Sequence, residues 1–490
     1  MPARVRKSVY SIADDAPELE WYRRAVGHLK TLPRNQPGSW EFVAACHGIA
    51  GVPAPAPNGL WNECQHQTWF FLPWHRGYLV GFESIIADTV AALGGPANWA
   101  LPYWDYSDTS NPRARELPPA FRNRFLADGS INDLWSPRNR PVPPNPALTL
   151  SPGDVSLAAM ASPNFTNPPG SRTTGFGGRQ TGWNHGGGAS GDLEARPHNV
   201  VHTGIGGLMA NPLTAALDPI FWLHHCNIDR LWEVWRGLQS PIRDPSAPAW
   251  LTGVKFKLVQ KKGTPFNFQC VQALDTQTLL HGYKYDNVTP VVPSVLVATG
   301  GPGPVVPHAT AATRWLTVSP MAVERFPNLI AASAEPLRLS AENTETVVRP
   351  ERRQERGLFS LTRAGEPKQF FLSLENVVAQ GTARDYKVFV DLPQDNRMPL
   401  QVGLLATFGV NVASDADGPH GGNGLSQVFD ITDALTELGI GAGAFNDLRV
   451  TFEPVRREGL EDVPADYQYA DLIDSEPSDL TVGRINLYAE

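Results

Sequence analysis

Two histidines four residues apart, His198 and His202, stand upstream of an adjacent pair, His224 and His225. Side chains at i and i+4 share one face of a helix, so His198 and His202 can aim both imidazoles at one metal ion. The stretch Asp218-Pro219-Ile220-Phe221-Trp222-Leu223-His224-His225-Cys226-Asn227-Ile228-Asp229-Arg230 can add a third donor. Earlier in the chain His47, His66 and His75 lie among aromatic residues and supply a second trio. Six imidazoles with no intervening carboxylate point away from magnesium, calcium and manganese and toward copper or zinc. Zinc would usually recruit an acid or a thiolate. Three nitrogen donors per ion leave each metal an open position, and two such ions about 3.5–4 Å apart form a two-metal site.

Glu18 to Leu32 carries Leu19, Trp21, Tyr22, Val26, Leu29 and Leu32 at helical spacing, and its His28 reads as structural. His66 and His75 are nine apart, which at about 100° per residue places them on opposite faces of one helix. Pro73 offers a break or kink near Phe71 to Trp74 that re-aims His75, after which Tyr78, Leu79, Phe82, Ile85, Ile86 and Val90 resume the helical pattern, so His75 is expected near a helix start. Phe221 to Leu238 is helical again. The expectation is a mainly α catalytic domain, a four-helix bundle with metals between facing helices. Asn111 to Arg179 is a long proline- and glycine-rich passage of the kind that wraps a functional core.

Beyond Tyr285 the composition changes. A Pro/Gly-rich linker is expected over 288–312, separating a catalytic domain at 1–287 from a second domain at 313–490. Gln369 to Leu374, Tyr386 to Val390, Gln401 to Val412 and Asp447 to Phe452 read as short alternating strands, which predicts an antiparallel β-sandwich.

At 490 residues the chain is too long for one ordinary core. Its net charge of −8, with no basic run able to follow a phosphate backbone, argues against nucleic acid. No apolar run approaches the roughly 20 residues of a membrane span. Arg4, Arg6 and Lys7 are followed by Asp14, Asp15, Glu18 and Glu20 instead of an apolar signal core, so the expected location is cytoplasmic. Four cysteines make no disulfide framework, in keeping with a reducing compartment. Monomer and homo-oligomer both remain open.

Cys64-Gln65-His66, Phe71 to Arg76, His198-Asn199-x-x-His202 and Asp218 to Trp232 together resemble the type-3 copper proteins: tyrosinases, catechol oxidases and molluscan haemocyanin units. Gly206-Gly207-x-Met209 is similar to the bacterial tyrosinase pattern, and Tyr283-x-Tyr285 resembles the motif that ends the catalytic domain in this family. The resemblance implies two copper ions, with dioxygen as co-substrate. His47, His66 and His75 would hold one copper and His198, His202 and His225 the other, with His224 a non-ligand neighbour. The spacing Cys64-x-His66 is similar to that of a cysteine–histidine thioether in fungal tyrosinases and molluscan haemocyanins. Related enzymes place a glutamate and an asparagine where Glu194 and Asn199 stand, orienting a water. A phenol of pKa near 10 is protonated at neutral pH, so such a base favours monophenol hydroxylation.

Asp385 to Val390, Phe408 to Val412 and Phe429 to Leu435 look like the C-terminal domain of latent plant polyphenol oxidases. That resemblance implies a lid inserting a side chain over the coppers, with the linker as a site for its proteolytic release. The expected activity is that of a tyrosinase acting on small phenolic substrates, monophenol to o-diphenol to o-quinone. The alternatives are a catechol oxidase, a haemocyanin-like oxygen carrier and, remotely, a zinc-binding structural protein. Asp229, one turn after His225, is expected to pair with Arg4 or Arg6.

Overall fold

A computed structural model describes residues 4–13, 16–49, 59–183, 189–239, 242–279, 282–289, 329–350, 369–394, 397–417, 421–439, 447–474 and 476–489. The predicted linker 288–312 lies, beyond its first two residues, outside the described residues.

The first half is organised by α1 (Pro17–Thr31), α2 (Trp40–Ala44), α3 (Phe71–Ala92), α4 (Val200–Ile205) and α5 (Ile220–Leu238). α1 buries Leu19, Tyr22, Val26 and Leu29, the stripe that its spacing predicts. α3 is buried around most of its circumference and packs on α5, where the Phe82 and Trp222 rings stack. Pro73 does not break a helix; it lies in the first turn of α3, where backbone N–H groups have no intrahelical acceptor to lose. His66 sits in the preceding loop, so its direction is independent of the helix that carries His75. Two of the segments expected to form the bundle are short: α2 has five residues and α4 six. α4 is entered through an irregular wide turn, Glu194–Asn199, in which Arg196 is extended (φ −156°, ψ 129°).

Short strands tie this half together. β1 (Arg4–Arg6) and β5 (Tyr283–Tyr285) pair in parallel, β2 (Asn139–Arg140) lies on the surface, and β3 (Phe256–Gln260) and β4 (Thr264–Phe268) form a hairpin. The hairpin presses on α3 at Gly81, where a Cβ would lie 2.1 Å from the Val259 carbonyl oxygen, so only glycine fits. Arg6, and not Arg4, reaches Asp229, at 3.4 Å. Asp229 also accepts from Arg76 Nε (2.5 Å), Tyr283 Oη (2.6 Å) and Tyr285 Oη (2.5 Å). This buried knot fixes α3, α5 and the N-terminal strand to one another.

The second half contains β6 (Leu329–Ala332), β7 (Leu337–Leu339), β8 (Thr344–Pro350), β9 (Phe370–Val378), β10 (Tyr386–Asp391), β11 (Leu400–Leu405), β12 (Leu425–Asp430), β13 (Leu448–Pro454), β14 (Glu458–Leu460) and β15 (Leu480–Ala489). Nine of these form one antiparallel sheet in the order β11-β10-β13-β8-β6-β15-β9-β12, with β7 beside β15. Its two ends meet through Gln427, whose side chain accepts from Ala406 N (3.2 Å) and donates to Leu404 O (2.8 Å). The expected sandwich is therefore a nearly closed barrel. Alternation along β13, buried at every second residue, supplies inward side chains to either arrangement.

The predicted strand over 401–412 ends at Leu405. A turn and a short helix, Val410–Ser414, follow, and the turn carries Phe408 toward the helical half. Beside it Val200 packs on Leu404 and Ala406, and buried Asp385 accepts from Thr203 Oγ1 (2.5 Å), Thr407 N (3.0 Å) and Arg457 Nη2 (3.2 Å). No helix among the described residues is long and apolar enough to cross a membrane.

Candidate metal centre

The six predicted histidines converge. His47 follows α2, whose first turn is capped by Ser39 accepting from Phe42 N (3.2 Å). His47, His66 and His75 have ring centroids 5.2 to 5.4 Å apart. His198, His202 and His225 lie 4.6 to 5.5 Å apart. The trios touch where His75 stacks on His225 at 4.6 Å and 13°.

What the rings can bind follows from their hydrogen bonds. Nδ1 of His47, His75 and His202 faces the carbonyl oxygens of Pro212 (2.9 Å), Phe71 (2.8 Å) and Met209 (2.8 Å), and Nδ1 of His198 faces Asn199 Oδ1 (2.8 Å). These oxygens only accept, so each Nδ1 carries the proton and each Nε2 presents a lone pair. Nε2 of His47, His75 and His198 is buried without a hydrogen-bond partner, a costly arrangement that a metal ion would relieve. Burial lowers His47 to about 4 and His198 to about 3, and carries His75, His202 and His225 well below the ordinary value. Neutral imidazoles are the form that metals bind. The donor set thus fits a pair of soft-to-borderline ions.

His224 is not set apart as sharply as expected. Its Nδ1 lies 3.2 Å from the Tyr106 hydroxyl, its Nε2 is buried without a partner, and it is grouped with His198, His202 and His225. His225 belongs to that group and also to one with His47 and His75, so it links the two trios. Its Nε2 lies 3.3 Å from His202 Nε2.

Cys64 joins His47 and His66 in a third group, and its Sγ lies 3.5 Å from His66 Nδ1. Burial pushes its thiol up.

Glu194 and Asn199 border the same cavity of about 990 Å³ as His47, His66, Leu213 and Phe408. The Glu194 carboxyl accepts from the Gln67 backbone N–H at 2.8 and 3.0 Å, and its burial raises it to about 8. Gln67 takes a left-handed backbone (φ 57°) to aim that N–H, a feature that no sequence pattern announced. Asn199 has a duty that sequence reasoning missed: Oδ1 orients His198 and Nδ2 donates to Ser190 Oγ (3.2 Å).

Phe408 was the other omission. It lies 3 % exposed over the site, stacked on His202 and edge-on to His66 and His198. Gly409, at φ +82°, allows the sharp turn behind it. The stretch Phe408 to Val412 carries the C-terminal-domain resemblance, but nothing in its sequence singles out the aromatic.

Comparison with known proteins agrees with this geometry. The common central domain of tyrosinase matches residues 37–152 and 154–238, and a domain of unknown function matches 327–490. A tyrosinase of Hahella sp. (strain CCB-MM4) is 34% identical over 463 residues, 89% of this chain and 91% of that protein. Chloroplastic polyphenol oxidase B of Solanum lycopersicum is 28% identical over 313 residues, 58% of this chain and 49% of that protein. The solved structure of latent apple tyrosinase superposes with a TM-score of 0.58 at 19% identity, covering 100% of this chain and 98% of that one, which is a likeness of fold. Homology along most of its length places the chain in the tyrosinase family, copper-dependent oxidoreductases whose type-3 dinuclear site oxidises phenols with dioxygen.

Proposed function

We propose that this protein is a tyrosinase that takes monophenols to o-diphenols and on to o-quinones, and that its β domain keeps it latent. In this reading residues 1–287 form the catalytic domain, 288–312 the linker and 313–490 the lid. His47, His66 and His75 hold one copper and His198, His202 and His225 the other. When bound, the copper pair supplies the redox chemistry by which dioxygen is consumed.

The observation that carries monophenol hydroxylation is Glu194 on the wall of the copper cavity. A monophenol arrives with its hydroxyl protonated; burial raises Glu194 to about 8, so its ionised form, whose share grows as pH rises toward that value, can take that proton directly or through one water. The Gln67 N–H holds the carboxylate in place, while Asn199 fixes the His198 ring and so the direction of its Nε2. Phe408, covering His202 and His198, keeps ring-sized substrate off the metals until it moves. Cys64 and His66 lie close enough to support a thioether, which an intact mass lower by two hydrogens after copper loading would register.

One observation favours the catechol oxidase alternative. Asn199 is engaged on both sides, by His198 and Ser190, which limits its freedom to polarise a water. Glu194→Gln separates the readings: it should cut the monophenol rate by ~10²-fold or more while sparing diphenol oxidation. An unchanged monophenol to diphenol ratio would remove Glu194 from the mechanism and leave the diphenol oxidase.

A further inference from the structure

Between β13 and β15 the chain leaves the barrel, crosses the helical half and returns. β14 pairs antiparallel with β2, Glu458 opposite Arg140 and Leu460 opposite Asn139, and Glu461 N donates to Arg138 O at 2.8 Å. The Tyr467 ring then packs edge-on against Trp135 at 5.6 Å and its hydroxyl meets Ser136 Oγ at 2.9 Å. Tyr469, 4 % exposed, is part of the helical half's hydrophobic core, with Leu472 and Ile473 against it. Gln468 Nε2 donates to Glu41 Oε1 at 2.9 Å, on the helix that leads to His47. The return is marked by a bridge between Ala383 and Ser478.

These contacts differ in kind. The ion pairs Arg140–Asp462 and Arg124–Asp466 have acidic partners 99% and 70% exposed, so solvent and salt screen them and they hold little. Buried Tyr469 and half-buried Tyr467 do not depend on salt, because apolar burial and ring contact are what seat them. The paired backbone of β14 and β2 adds main-chain hydrogen bonds that side-chain chemistry does not alter.

We infer that residues 458–473 are a strap that keeps the β domain seated on the catalytic domain after the connecting segment is cut, so cleavage there does not by itself uncover the copper site. Uncovering requires the Phe408 turn to withdraw while the barrel stays docked, or the strap to peel away. The inference departs from the expectation that linker proteolysis releases the lid. It rests on the reading of Phe408 as the cover only where activity is the readout.

The test uses the full, copper-loaded chain with a protease site inserted between residues 300 and 312. After cleavage the two fragments should co-elute from a size-exclusion column at uncut size, in low and in high salt. Oxidation of a small diphenol should stay within about twofold of the uncut rate. In the cut protein Tyr467→Ala/Tyr469→Ala should let the fragments separate, with a rate rise of ~10-fold or more. If that pair fails to fold, Tyr467→Ala alone, at a half-buried ring, is read on the same column. Separation of the cut wild-type fragments would overturn the inference, and so would co-elution that both tyrosine variants leave intact. An uncut Phe408→Ala protein no faster than wild type would instead remove the cover reading, leaving the co-elution result to judge the strap.

Discussion

The Phe408 ring lies flat over the His202 imidazole, with centroids 4.0 Å apart and planes 18° from parallel. A phenolic ring needs the same volume if, as proposed, the metals sit on His202 and its neighbours. Two aromatic rings cannot share it. Phe408→Ala should therefore raise oxidation of phenols by the intact protein, by ~10-fold or more, with no proteolysis. Phe408→Leu, which still fills the space, should raise it less. Oxygen uptake with copper-loaded protein measures both.

His225 reaches the groups on both sides of the site, whereas His224 reaches one. His225→Ala should leave the purified, copper-loaded protein with one copper in place of two, and His224→Ala should retain both. Metal analysis after dialysis decides it. The reverse pattern would exchange the roles of the two residues and leave the rest of the site as described.

Asp229 ties α3, α5 and the N-terminal strand together. Burial pulls its carboxyl up, and Arg76 and Arg6 with the hydroxyls of Tyr283 and Tyr285 outweigh that and bring it below its ordinary 3.8. A depressed folded value means stability that is present above the ordinary carboxyl range and lost as pH falls through the folded value. Asp229→Ala takes one carboxylate from two buried arginines, Arg6 keeping Glu83 and Arg76 keeping Glu233, and should cost ~3 kcal/mol, seen as a lower unfolding midpoint. The loss should be large at neutral pH and shrink in acid, where the wild type loses the same contribution.

How much of this was legible beforehand follows from the range of each interaction. The histidines could be found because metal ligation needs particular side chains at short, readable intervals, and His198 and His202 advertise themselves. The buried stripe of α1 was equally local. Pro73 cannot sit in a helix interior, which places His75 near a helix start, as in α3; that His66 lies in a loop and not on a preceding helix depends on the chain path. Alternation along the strands reports which residues face inward, but closure of the sheet depends on Gln427 meeting Leu404 and Ala406 across its ends. Phe408 is about two hundred residues from the histidines it covers. Its role exists only after two halves dock, as does the seating of Tyr467 and Tyr469. Gln67 was hidden for another reason: its contribution is a backbone N–H, and a left-handed glutamine leaves no mark in the sequence.

The most direct measurement is oxygen consumption by copper-loaded Phe408→Ala protein supplied with a monophenol alone, and in parallel with the matching o-diphenol. A tyrosinase covered by Phe408 should show uptake with both, and a selective loss of the monophenol rate when Glu194→Gln is added. Uptake with the diphenol only would contradict monophenol hydroxylation and leave a catechol oxidase; reversible oxygen binding without turnover of either would contradict the phenol-oxidising role itself.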